Sequence, residues 1–169
     1  MKILILLLLI SFLSACSTMP ERPKQVLYSS SVPKAWKIEG RISATNNEGT
    51  KIAGFVLNRQ NGHYQLTLTE SSGFGQMQVR QTEQGLLVDD ELTKLSLQEW
   101  MISELGWYFP ISKLENIIFK HAEVIMQDWQ VEVDKYHIIN GIIYPKTIRL
   151  QRTHQTIKIK LLLQEINLK

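Results

Sequence analysis

Apolar and polar residues alternate with a period of two in several separate stretches of this chain, and that repetition is what most narrows the folds open to it. Trp36, Ile38, Gly40, Ile42 and Ala44 alternate with Lys37, Glu39, Arg41, Ser43 and Thr45. Tyr64, Leu66 and Leu68 alternate with His63, Gln65, Thr67 and Thr69, and Met77 and Val79 with Gln76, Gln78 and Arg80. Trp129, Val131 and Val133 follow the same rule, as do Ile157, Ile159, Leu161 and Leu163, where Leu162 interrupts the polar side. Successive side chains of a strand point to opposite faces, so the pattern specifies half-buried antiparallel strands with one apolar and one wet face. Turn signals separate them: Asn46-Asn47-Glu48-Gly49, Asn61-Gly62, Gly73, Gly85 and Asn140-Gly141.

Two segments depart from the period. Ser96-Leu97-Gln98-Glu99 and Ser112-Lys113-Leu114-Glu115 both have the Ser-x-x-Glu form of a capping box, which predicts two short helices. In the first, Leu97, Trp100, Met101 and Leu105 share a helical face, and Pro110 stops any continuation. In the second, Leu114, Ile117 and Ile118 do the same. Seven or eight strands thus each present an apolar face, with only two helices of about three turns or fewer to cover them. A strongly twisted sheet buries that face by curling on itself into a barrel or half-barrel. If the curl is incompletely filled, a concave apolar site results; if it is filled, the interior is an ordinary core.

The beginning of the chain has a different character. Met1-Lys2 is a short positive start, Ile3 to Ile10 an unbroken apolar run, and Ser11 to Cys16 turns small and polar. The run is too short to cross a bilayer and reads as an export signal over residues 1–15. Cys16 is the single cysteine, so no internal disulfide explains it. Nothing around it supplies a base or a positive pocket to activate the thiol. Leu13-Ser14-Ala15-Cys16 resembles the lipobox of bacterial lipoproteins, in which the cysteine is lipidated and the signal is cut before it. By the sorting pattern of such proteins, the non-acidic Ser17 resembles outer-membrane destinations. Residues 16–35, with Pro20, Pro23, Pro33 and the run Ser29-Ser30-Ser31, read as the lipidated cysteine and a flexible tether. Residues 36–169 are then a single domain. With 19 Lys+Arg against 16 Asp+Glu, the chain has no electrostatic footprint for nucleic acid.

The stretch Trp36-Lys37-Ile38-Glu39-Gly40-Arg41-Ile42-Ser43-Ala44 resembles the opening strand of the LolB family of outer-membrane lipoprotein receptors. The resemblance continues through Ala53-Gly54-Phe55, Tyr64-Gln65-Leu66-Thr67-Leu68-Thr69 and the loop Ser72-Gly73-Phe74-Gly75. Gly106 through Leu114 is similar to the family's Gly-x-x-x-Pro-x-x-x-Leu link between its helices. Asp128 to Val133 and Tyr144 to Leu150 are similar to its late strands. Asn58 stands where a tryptophan is common in the family, and Asn116-Ile117-Ile118-Phe119 replaces a Trp-Leu-x-Gly stretch. The resemblance implies a half-open antiparallel β-barrel with a helical lid and an apolar cavity. It further implies a monomeric, lipid-anchored, periplasm-facing protein of the outer membrane. That protein would accept acylated lipoproteins from the LolA-type periplasmic carrier and place them among outer-membrane phospholipids, without an enzymatic step or a cofactor. The alternative is a structural or adaptor lipoprotein whose barrel is filled and binds a protein partner.

Individual residues carry these expectations. Gly73, Phe74 and Gly75 match the family's protruding loop, where an exposed leucine serves membrane insertion of the cargo; by residue type alone, Phe74 would fold back into a core. Trp36, Ile38, Ile42, Leu66, Leu68, Met77, Trp100, Met101, Leu105 and Trp129 are candidates for lining a cavity or for filling a core. His63, His121, His137 and His154 lack metal-site spacing, and no serine lies in a G-x-S-x-G setting. No Walker-type phosphate loop is present in the sequence.

Overall fold

A computed structural model of the chain describes residues 29, 31–71, 75–121 and 128–168. Strands β1 (Trp36–Asn46), β2 (Gly49–Gln60), β3 (His63–Glu70), β4 (Gln76–Thr82), β5 (Gly85–Val88) and β6 (Glu91–Thr93) come first, and the alternating stretches fall in β1, β3 and β4. Helices α1 (Leu97–Leu105) and α2 (Ile111–Lys120) follow, then β7 (Trp129–Ile139), β8 (Ile142–Arg152) and β9 (Lys158–Leu168). They make one nine-stranded antiparallel sheet in the order β6-β5-β4-β3-β2-β1-β9-β8-β7. Every pair joins sequence neighbours except β1 with β9, which unites the first and last strands. The edges β6 and β7 do not meet, so the sheet is an open barrel, and the two helices lie along the chain between those edges as its lid.

The registers define two ends. Trp36 pairs with Arg59 and with Leu168, so the start of β1, the Asn61-Gly62 turn and the end of β9 lie together at what we call the lower end. The β7–β8 turn at Asn140-Gly141 lies there too, because Trp129 pairs with Arg152 and Gln151 with Lys158 at the opposite end. The turn at 46–49, the end of β3 and the start of β4 belong to the upper end. Asn61-Gly62 and Asn140-Gly141 both have positive φ at their two central residues (53° and 81°, 51° and 80°), the turn that matches strand twist in a two-residue hairpin.

The sheet is irregular where β1 meets β9. Glu39 pairs with Glu165 but Gly40 with Leu163, which leaves Gln164 as an extra residue on β9. The bulge resets the alternation, so Leu163 and Ile166 both face inward and are buried. It also brings the β9 backbone close: a Cβ at position 40 would stand 2.2 Å from the Leu162 carbonyl oxygen and 3.0 Å from Phe55 Cε1. Only glycine fits beside that carbonyl.

The helices begin and end by different rules. Ser96 caps α1 in the expected capping box: its side chain accepts from the Glu99 amide, and the Glu99 carboxylate accepts from the Ser96 amide. Gly106, left-handed at φ 78°, closes the helix. The second capping box, predicted at Ser112-Lys113-Leu114-Glu115, does not form. Pro110 is the N-cap, its carbonyl accepting from the Lys113 and Leu114 amides, so Ser112 already lies inside the first turn. Glu115 then turns inward with Leu114, Ile117 and Ile118.

An aromatic cluster fills the lower end of the trough. Trp36, Phe119 and Tyr144 pack ring against ring, with centroids 5.5 Å and 6.2 Å apart, among Ile38, Ile118, Ile148 and Leu163. Replacing Gly40 by alanine forces a methyl group against backbone. We expect Gly40→Ala to lower the unfolding free energy by about 1–3 kcal/mol, read as a reduced urea midpoint with an unchanged denaturant slope.

Candidate functional site

Above that packed floor the trough is hollow. A cavity of about 720 Å³ opens between the concave face of the sheet and the lid, within the roughly 300–1,000 Å³ usual for small-molecule sites. Its walls come from the inward rows of the register: Ile42, Ala53, Phe55, Leu57, Leu66, Leu68 and Met77 on one side, Leu150, Ile159 and Leu161 on the other. Met101 and Leu105 of α1, Ile111 and Leu114 of α2, and Trp107 and Phe109 between the helices form its roof. The polar liners Thr50, Lys51, Glu70, Ser71 and Gln76 belong to the upper end of the sheet, where the mouth lies. Met77 and Met101, unbranched and polarisable, give the lining an adaptable component.

The sequence candidates divide between floor and wall. Ile42, Leu66, Leu68, Met77, Met101 and Leu105 line the cavity. Trp36, Ile38, Trp100 and Trp129 are buried in the core and are not among its lining residues. Cys16, Gly73 and Phe74 lie outside the described residues. Gly75 is described: it lines the mouth, and its carbonyl accepts from the Glu70 amide at 2.8 Å, closing the base of the 71–75 loop beside the cavity opening.

Two features of the site escape the strand and helix patterns. Trp107 and Phe109 sit in a connection, where polar residues are the default, yet both are buried and roof the cavity. Phe109 also meets Trp129 of β7 edge to face at 5.7 Å, so the connection reaches the far edge of the sheet. The aromatic run Trp107-Tyr108-Phe109 between Gly106 and Pro110 was the available signal. The second feature is Glu115, 5% exposed. Its Oε1 accepts from Trp36 Nε1 at 3.0 Å and from Arg59 Nη1 at 3.1 Å, and its Oε2 from the Tyr64 hydroxyl at 2.9 Å.

The three donors are direct cross-strand partners, Trp36 with Arg59 and Arg59 with Tyr64, so one row across β1, β2 and β3 forms a receptor for a single carboxylate. The Arg59 guanidinium balances its charge and lies 5.9 Å from the centre of the Tyr64 ring. Burial of Tyr64, then its hydrogen bond to Glu115 and the charge of that carboxylate, push the phenol up to about 12 against the opposing pull of Arg59. The fold therefore favours the neutral phenol. Its contribution is complete below the ordinary value near 10 and is lost as pH rises through about 12.

Removing the carboxylate strands three donors at once. We expect Glu115→Ala to cost about 3–5 kcal/mol, as for a broken buried ion pair, in chemical denaturation. In the same variant the Tyr64 phenol should titrate closer to its ordinary value by ultraviolet absorbance.

No helix among the described residues is long and apolar enough to cross a membrane. No curated protein matches the chain. The family model described as "LolB: Outer membrane lipoprotein LolB" matches residues 34–122, from just before β1 through both lid helices. That span holds most of the cavity wall and all of its roof, together with Glu115 and its three donors. The chain belongs to the LolB family of outer membrane lipoproteins.

Proposed function

We propose that this protein accepts acylated lipoproteins from a LolA-type periplasmic carrier, shelters their acyl chains in the cavity, and passes them to the periplasmic leaflet of the outer membrane. The observation that carries this reading is the hollow in the barrel beneath the lid, lined by aliphatic, aromatic and methionine side chains and open to the outside. An acyl chain of about sixteen carbons costs on the order of 12 kcal/mol to expose to water, at about 0.8 kcal/mol per CH₂. Escape into solvent is correspondingly slow, and transfer between two abutting apolar cavities avoids most of that barrier. Ligand moving down an affinity gradient needs no nucleotide and no catalytic group.

Cys16 is the lipidated residue in this proposal, with residues 1–15 removed as a signal and residues 16–35 forming the tether to the domain. Phe74 is the residue that meets the bilayer during delivery. The Glu70–Gly75 hydrogen bond supports that role, because it fixes the base of the loop at the mouth through which cargo leaves. The adaptor alternative calls for a filled barrel, and a cavity of about 720 Å³ speaks against it.

Transfer of a radiolabelled lipoprotein from the carrier tests the reading directly: saturable transfer is expected, and none would overturn it. Leu68→Trp adds bulk to the cavity wall and should weaken capture while the urea midpoint stays near that of the parent. Phe74→Glu should capture cargo normally yet release little into liposomes; full delivery by this variant would remove Phe74 from the mechanism.

A further inference from the structure

The inward row of β2 changes character at the rim of the cavity. Leu57, Phe55 and Ala53 follow one another up the wall, and the next residue of the row is Lys51. Lys51 stands opposite Ala44 as Ala53 stands opposite Ile42, so its side chain belongs to the concave face although it is exposed at the mouth. A lysine can lay its aliphatic stem along an apolar wall and leave its ammonium at the water boundary. Among the described residues Lys51 takes part in none of the ion pairs.

Two carboxylates share this site. Glu70 is the direct partner of Ala53 on β3, which makes it the diagonal neighbour of Lys51 on the same face. Glu104 lines the cavity from the last turn of α1. Among the described residues, these three are the charged groups of the lining. An acyl tail or a neutral glyceride makes no use of an ammonium at the rim of its site. A phosphate does, and a headgroup that carries an ammonium beside its phosphate meets both signs of charge at once.

We propose that the cavity also takes a glycerophospholipid with an ammonium-bearing headgroup, its phosphate at Lys51, its ammonium toward Glu104 and its tails along the wall beneath. The dimensions agree. From Lys51 to Leu57 the wall runs six residue steps, about 20 Å at about 3.4 Å per residue. The hydrocarbon of one leaflet is about 15 Å thick, half of a bilayer core of about 30 Å. Tails of membrane length therefore lie within the wall while the headgroup stays at the rim. A phospholipid held in this way keeps the apolar lining covered between rounds, and incoming cargo displaces it. Capture and delivery then become an exchange of one lipid-bearing molecule for another, in which the lining is not left against water. The proposal rests on the reading of the cavity as an acyl-chain site, but not on a carrier or on transfer of lipoproteins.

The full-length protein, reconstituted into vesicles of fixed host composition, provides the test. The vesicles contain, at equal mole fraction, one probe lipid with a photoactivatable diazirine at the end of an acyl chain: phosphatidylethanolamine, phosphatidylglycerol or diacylglycerol. After irradiation, adducts on the wall peptides that contain Leu57 and Leu66 are quantified by mass spectrometry. We expect the phosphatidylethanolamine probe to give the most adduct. Lys51→Met should lower that adduct about threefold to tenfold, as for a partly exposed charge-assisted contact, and leave the diacylglycerol adduct unchanged. Glu104→Gln should bring phosphatidylethanolamine down toward phosphatidylglycerol. The proposal is overturned if Lys51→Met spares phosphatidylethanolamine or lowers both probes equally, or if phosphatidylglycerol labels the parent protein as well as phosphatidylethanolamine does. Diacylglycerol adducts report the acyl-chain cavity by themselves, so their persistence in any of those cases leaves that reading standing while the headgroup site falls. Absence of adduct from all three probes removes the acyl-chain cavity itself.

Discussion

Glu115 projects from α2 into a row of three donors on three adjacent strands, and that contact sets how the lid lies in the trough. A carboxylate taken out of water requires partners for both oxygens and a compensating charge. Trp36, Tyr64 and Arg59 supply these at distances of 2.9–3.1 Å. The same contact places Phe119 against Trp36 and Tyr144, which seals the lower trough, and directs Leu114 toward the upper one. One polar contact thereby fixes a mostly apolar interface, where dispersion and area burial alone permit sliding.

The boundary between floor and cavity follows from this. Below it, the bulge at Gly40, the ring cluster and the last turn of α2 fill the space between strands that a wide sheet would leave open. Above it, α1 and the aromatic connection span the concave face without descending into it, and the space beneath them remains unfilled. Unfilled apolar volume costs stability. An apolar cavity kept at that cost is consistent with the proposed acyl-chain site.

Strands β1, β3, β4, β7 and β9 were legible, because alternation reports the half-buried face directly; β2 and β8 were not read from alternation, and β5 and β6, at four and three residues, are too short to carry the signal. The inward set Ile42, Leu66, Leu68 and Met77 came from the same rule. The rule cannot say which inward residues face empty space, so Trp36 and Ile38, on the same face as Ile42, proved to be floor rather than wall. Glu115 was misread because Ser112-x-x-Glu115 satisfies a local cap pattern, while Pro110 starts the helix earlier and turns the carboxylate inward. Trp107 and Phe109 were passed over because a connection between helices has no period to read.

Sequence by itself determined an antiparallel sheet, two short helices in its middle, the absence of an internal disulfide and a likeness to one family. These follow from local chemistry: side-chain alternation, a cap at Ser96, turns at Asn-Gly, and one cysteine. How far the sheet closes, where its interior is hollow and which end carries the mouth are matters of tertiary structure. Those depend on register between strands far apart in the chain and on where one helix comes to rest, quantities set by the sum of many weak contacts rather than by any single stretch of residues.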